Sequence, residues 1–151
     1  MTYNEWYELN KNGLKCNPKS QKFSFADFLE NGFETKTIKP FKRGEVYFGK
    51  IHKNSKKRPF LIYQNDFLNE SVFRGDYNSI IVLPLSGNIV ETDLRVLIKK
   101  RDKLKKDSQI VCNALGIIGV EKIIFDEIVT TLTDEELNKV DKIVKDILYG
   151  S

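Results

Sequence analysis

The chain has 151 residues, 40% of them hydrophobic, and a formal net charge of +4; that is enough apolar material for one packed core and argues against wholesale disorder. Its longest apolar runs, such as residues 80–85, are far too short to span a bilayer. Residues 1–6 have neither the basic start nor the apolar centre of a signal peptide, so a cytoplasmic protein with no membrane partner is expected. The charge is uneven, with 16 basic against 11 acidic side chains in residues 42–131 and 3 against 5 in residues 132–151. A basic middle suits a polyanionic partner or serves solubility alone. Cys16 and Cys112 stand far apart with no metal-ligand spacing, and in a reducing compartment they read as plain thiols.

Residues 1–40 form a short N-terminal arm in this reading. Phe23, Phe25, Phe28 and Phe33 surround a short helix that Ser24 can cap and Asn31-Gly32 can stop. So small a segment cannot bury four phenylalanines by itself, so residues 20–35 are expected to pack on the main domain or on a partner. Stacking on RNA bases is the alternative use of such rings.

From residue 41 to 151 the pattern is that of a single domain of short β-strands. Residues 45–51 are β-rich and are followed by the polar loop 52–57. Residues 59–63 form the next strand, closed by Gln64-Asn65-Asp66. Residues 79–83 are nearly all apolar and are expected to be central and buried on both faces. Pro84 then ends or bends this strand, since proline cannot donate to a ladder. Residues 94–98, 109–113 and 121–129 bring the total to about six strands. The fold class is mainly β (α+β), a small barrel with a helix at its C-terminal end. That helix is marked by Thr133 and Glu136 at capping-box spacing. Asp134 and Glu135 complement its dipole, and Leu137, Val140, Ile143, Val144, Ile147 and Leu148 recur as one apolar stripe.

Five stretches resemble the MazF/PemK toxin family, in the family's order. Lys42-Arg43-Gly44-Glu45-Val46-Tyr47 is similar to its opening strand, and Arg58-Pro59-Phe60-Leu61-Ile62-Tyr63-Gln64-Asn65-Asp66 to its RP…QND motif. Ile80-Ile81-Val82-Leu83-Pro84-Leu85-Ser86 resembles the strand that ends in a Thr or Ser hydroxyl. Lys106-Asp107-Ser108-Gln109-Ile110-Val111-Cys112 resembles the later DS strand, and Leu132-Thr133-Asp134-Glu135-Glu136-Leu137 the closing helix. The resemblance covers residues 42–149 and leaves the arm outside.

This resemblance implies an SH3-like barrel, a homodimer, a cognate antitoxin as protein partner, and cleavage of single-stranded RNA (mRNA) without a metal or other cofactor. Such cleavage uses the substrate's own 2′-hydroxyl as nucleophile. The enzyme must help remove that proton, offset charge on phosphorus and protonate the departing 5′-oxygen. Arg58 matches the family's catalytic arginine, and Ser86 its Thr/Ser hydroxyl. His52, the only histidine, keeps the offset of six residues before the arginine at which some members carry one, and could act as a general base. Lys53, Lys56 and Lys57 before Arg58, with Lys99, Lys100 and Lys103 in the run 99–106, could grip RNA phosphates; a solvated loop and hairpin tip is the plain alternative.

Two rivals remain. Where the family shows an acid, a glutamine and soon an arginine, this chain has Asn113, Ala114 and Gly116. Those departures favour a catalytically degenerate barrel acting as a nucleic-acid- or protein-binding module. A CcdB-like topoisomerase inhibitor would need a tryptophan-bearing C-terminal tip, whereas the only tryptophan is Trp6.

Overall fold

The computed structural model describes residue 2 and residues 39–150. The phenylalanine-rich helix expected near residues 23–33, and Cys16, lie outside the described residues. Seven strands and two helices follow in chain order: β1 (Glu45–Gly49), β2 (Arg58–Ile62), α1 (Asp66–Phe73), β3 (Ser79–Ser86), β4 (Arg95–Ile98), β5 (Ser108–Val111), β6 (Gly116–Gly119), β7 (Ile123–Thr131) and α2 (Asp134–Tyr149). They make one antiparallel sheet in the order β4-β5-β3-β2-β1-β7, with β6 on β3. These pairings form an open path from β4 to β7. The loop between β4 and β5 reaches the far end, where the Lys103 N–H donates to the Val129 carbonyl at 3.0 Å.

β3 is the hub, as its apolar run predicts. Ile80, Val82 and Leu83 are at most 1% exposed. One edge of the strand pairs with β2 through Val82, Leu83 and Pro84, and the other pairs first with β6 and then with β5. Pro84 does not end the strand, which runs on to Ser86. It sits where β3 passes from β2 and β6 to β5, so its missing N–H falls at a change of partner. Leu85 pairs with Ile110 and Val82 with Gly116. Three residues along β3 are therefore matched by six along its neighbour, and residues 112–115 form the excursion that separates β5 from β6. The tally is thus seven strands, because this four-residue Gly-Ile-Ile-Gly segment pairs as well.

The sheet is apolar on both faces. Tyr47, Phe60, Ile62, Ile80, Val82 and Ile123 belong to one buried cluster, while Val46, Leu61, Leu83, Leu85, Ile98, Ile110 and Val129 belong to the other. In β1, β2 and β3 neighbouring residues feed opposite clusters, which is why these strands read as continuous apolar runs. α2 covers the second cluster with Val140 and Val144, flanked by Leu137 and Ile143. Its cap is the expected box, with Thr133 Oγ1 accepting from Glu136 N at 3.2 Å and Glu136 Oε1 accepting from Thr133 N at 2.9 Å. The stripe is not buried to its end, for Ile147 and Leu148 remain exposed beyond the sheet.

Two side-chain clamps fix α2. The Arg101 guanidinium donates to both oxygens of Glu136 at 2.7 and 2.8 Å, to the Thr131 carbonyl and to Thr130 Oγ1. Arg43 pairs with Asp141 and lies 4.9 Å over the Tyr63 ring, whose hydroxyl donates to the same carboxylate at 2.6 Å. Gln64-Asn65-Asp66 proves to open α1 as well as close β2. Asn65 Oδ1 caps the helix by accepting from Leu68 N at 2.9 Å. Buried Gln64 donates to Asn69 at 2.9 Å and accepts from Ile81 N at 3.0 Å, tying α1 to β3.

Candidate functional site

Arg58 is the first residue of β2 and stands opposite Gly49, the last of β1. Gly49 fits closely there, since a Cβ would lie 3.1 Å from the Phe60 ring and 3.2 Å from the Lys122 carbonyl, tighter than most such contacts. The Lys122 ammonium in turn donates to the Ile51 carbonyl at 2.7 Å, holding the base of the β1–β2 loop. The Arg58 side chain is exposed and makes no hydrogen bond or ion pair among the described residues.

Ser86 ends β3 opposite Gln109. In the β2–β3 ladder Phe60 pairs with Pro84, so Arg58 and Ser86 each stand two residues beyond that pair. The two strands therefore deliver them to one end of the sheet, on the same face by the two-residue side-chain period. Ser86 Oγ accepts from the Asn88 N–H at 3.2 Å, which leaves its proton free to be donated. The turn after it is pinned by buried Gln109, whose amide accepts from Val90 N at 3.0 Å and donates to Val90 O at 2.8 Å. Arg95 adds bonds to Asn88 O and to Gln109.

His52 is exposed in the β1–β2 loop, where its backbone and Ser55 form a closed turn. No hydrogen bond joins the side chains of His52, Arg58 and Ser86 among the described residues. Lys53 and Lys56 are exposed on the same loop. Lys57 leans the other way, its ammonium 4.6 Å over the Phe48 ring.

The lysines of the β4–β5 hairpin divide into engaged and free. Lys99 lies 3.6 Å from Asp107, and Lys103 pairs with Glu127. Accordingly the Asp107 carboxyl is held below its usual range, first by the Lys100 backbone N–H and then by Lys99, and the Glu127 carboxyl by the Lys103 ammonium. The Lys100 side chain is exposed and makes no salt bridge among the described residues, though its charge also helps hold the Asp107 carboxyl low. Lys106, which the spacing of the run did not single out, folds back over Gly87, where a Cβ would stand 2.5 Å from its Nζ and closer to its Cε. A glycine directly after the strand-ending serine was the available signal.

An unpaired guanidinium, a hydroxyl free to donate and exposed ammonium groups can together take an anion. Clefts of about 530 Å³ at Asp102, Lys103 and Ile128–Thr131, and of about 500 Å³ between β4 and α2 at Arg95, Leu97, Lys139 and Lys142, lie elsewhere. Among the described residues no group of three or more His, Cys, Asp or Glu side chains is placed to hold a metal ion, and no helix is long and apolar enough to cross a membrane.

Residues 42–148 match the family described as PemK-like, MazF-like toxin of type II toxin-antitoxin system. Among solved structures, the chain is similar to an endoribonuclease in complex with its cognate antitoxin from Mycobacterial species (17% identity, 72% of this chain and 94% of that chain, TM-score 0.57). It is also similar to Mycobacterium tuberculosis toxin MazF-mt6 (15%, 68% and 93%, TM-score 0.55) and to MazE-MazF from Deinococcus radiodurans (11%, 76% and 100%, TM-score 0.59). At these identities the likeness is one of fold. No curated protein sequence matches the chain.

Proposed function

The chain belongs to the PemK-like, MazF-like toxins of type II toxin–antitoxin systems, and from that premise we propose that it is an endoribonuclease that cuts single-stranded RNA by attack of the substrate's own 2′-hydroxyl, with no metal taking part. The observation that carries this reading is the delivery of Arg58 and Ser86 to one end and one face of the sheet, two residues past Phe60 and Pro84. The Arg58 guanidinium offers two parallel donors to the phosphate oxygens as negative charge grows there. Ser86 Oγ, already accepting from Asn88 N, donates its proton to a non-bridging oxygen. His52 takes the 2′-hydroxyl proton. The new bond joins the 2′-oxygen to phosphorus, the bond to the 5′-oxygen breaks, and that oxygen takes a proton from water to leave as an alcohol, while the proton on His52 returns to solvent.

The finer reading of the fold that goes with this is a small SH3-like barrel closed across β4 and β7 by the Lys103–Val129 contact and the Arg101 clamp. The protein would act in the cytoplasm, as a homodimer held in check by a cognate antitoxin. The test is purified protein with mixed single-stranded RNA in the presence of EDTA. Cleavage by wild type and its loss on Arg58→Ala are expected. RNA that is bound and left intact would replace this reading by a binding module, and an Arg58→Ala variant as fast as wild type would overturn the site.

A further inference from the structure

We propose that Lys106 is a second substrate-contacting cation of this site, its ammonium holding the RNA phosphate that Ser86 meets; the proposal rests on the endoribonuclease reading. Four observations carry it. Lys106 Nζ lies against the backbone of Gly87, the residue that follows Ser86. The ammonium has no hydrogen bond or ion pair among the described residues, whereas Lys99 and Lys103 of the same hairpin are paired with Asp107 and Glu127. The turn beneath it is anchored, because Gln109 bonds both the N–H and the carbonyl of Val90. The notch it occupies exists only because residue 87 has no side chain.

Gly87 shows no left-handed backbone angle, in contrast with Gly44 and Gly75, so its small size is what matters. The atoms that a methyl there would meet are the far end of a flexible side chain. Alanine at 87 would therefore move the Lys106 ammonium and leave the fold intact. A long, flexible chain held in a fixed notch can reach a phosphate oxygen as a point charge, complementing the planar fork of Arg58. One cation would then approach the phosphate from β2 and the other from the turn after β3.

The test compares wild type, Lys106→Met, Gly87→Ala and the double variant, all as full chains. Two readouts are used, the cleavage rate of a single-stranded RNA and the salt dependence of binding to its 2′-O-methyl analogue, which lacks the nucleophile. Lys106→Met is expected to cut at least tenfold more slowly, less than the roughly 10²–10³ lost with an enclosed donor, because the ammonium is exposed and screened. Its salt slope should fall by about 0.7, the value of one single-strand phosphate contact. Gly87→Ala should reproduce both effects with an unchanged melting temperature, and should add nothing in the Lys106→Met background. The proposal is overturned if Lys106→Met cuts and binds as wild type, or if Gly87→Ala is as harmful with Met at 106 as with Lys. Should wild type fail to cut any RNA, the endoribonuclease reading falls, while the salt slope still decides the phosphate contact.

Discussion

Arg58 leaves β2 with its guanidinium unengaged among the described residues, so no bond to them must be broken before it meets a ligand. Replacing it with lysine keeps the charge and removes the planar fork. The Arg58→Lys variant is expected to bind the 2′-O-methyl analogue within a few-fold of wild type and to cut RNA on the order of 10²–10³ more slowly. Full activity with lysine would show that charge alone suffices. Gln64 and Asn69 are the opposite case, polar and buried at 6% and 0% exposure. The Gln64 side-chain amide donates to Asn69 Oδ1, the Asn69 amide donates to the Gln64 carbonyl and to Asp66, and Gln64 Oε1 takes the Ile81 N–H. Asn69→Ala strands the Gln64 donor in a dry place and is expected to cost about 1–3 kcal/mol, measured by urea unfolding. A loss below a few tenths would mean that Gln64 finds another acceptor. Such details were partly legible in the sequence. The motifs picked out Arg58 and Ser86, whose register at one end of the sheet the structure adds and whose part in cleavage is the proposal. Lys106 was hidden in a run of like charges, since which ammonium is paired depends on where Asp107 and Glu127 fall in space.

At the scale of elements, the long apolar runs were legible because a strand with a core on each face needs no alternation. α1 was not, because Gln64-Asn65-Asp66 is a good turn sequence and the helix has only eight residues, with Phe67 74% exposed. β6 escaped because two glycines around two isoleucines read as loop. The capping box of α2 was visible, yet the partner that makes it matter was not. Arg101 holds the Glu136 carboxyl below its usual range, and the Arg101 guanidinium is raised by the same pairing. A carboxyl depressed in the folded state contributes stability above its unfolded value, about 4.3, and that stability drains away as pH falls through the lower folded value. Wild type should therefore lose stability on acidification below the ordinary glutamate range more steeply than Glu136→Gln, which starts about 1–3 kcal/mol lower at neutral pH. Melting temperatures of both across that range check it, and parallel curves would remove Glu136 from the acid response.

For the molecule as a whole, the excursion at residues 112–115 places β6 on β3 with no strand on its outer edge among the described residues. Leu115 and Ile117 are 42% and 70% exposed along it. Apolar side chains on an open strand edge favour pairing with a second copy. Light scattering at micromolar concentration is expected to return twice the chain mass of 17.5 kDa, and Ile117→Lys is expected to shift it toward the single-chain value. Wild type at 17.5 kDa throughout would contradict a dimer, and an unchanged dimer in the variant would place the contact elsewhere. The departures Asn113 and Ala114 fall on this excursion and Gly116 opens β6, so all three lie beside the edge at which this dimer is expected.

The three-partner position of β3 has a consequence for motion. Amide hydrogens bonded within a strand that is flanked on both sides exchange with solvent only when large parts of a fold open together. The amides of Ile80–Leu83 should thus be among the last to exchange in heavy water, and Ser86 stands three residues further along the same strand. Its hydroxyl would then be carried by a slow-opening strand, while His52 rides on an exposed loop. Ligand would then find one half of the site standing ready and would order the other half as it arrives.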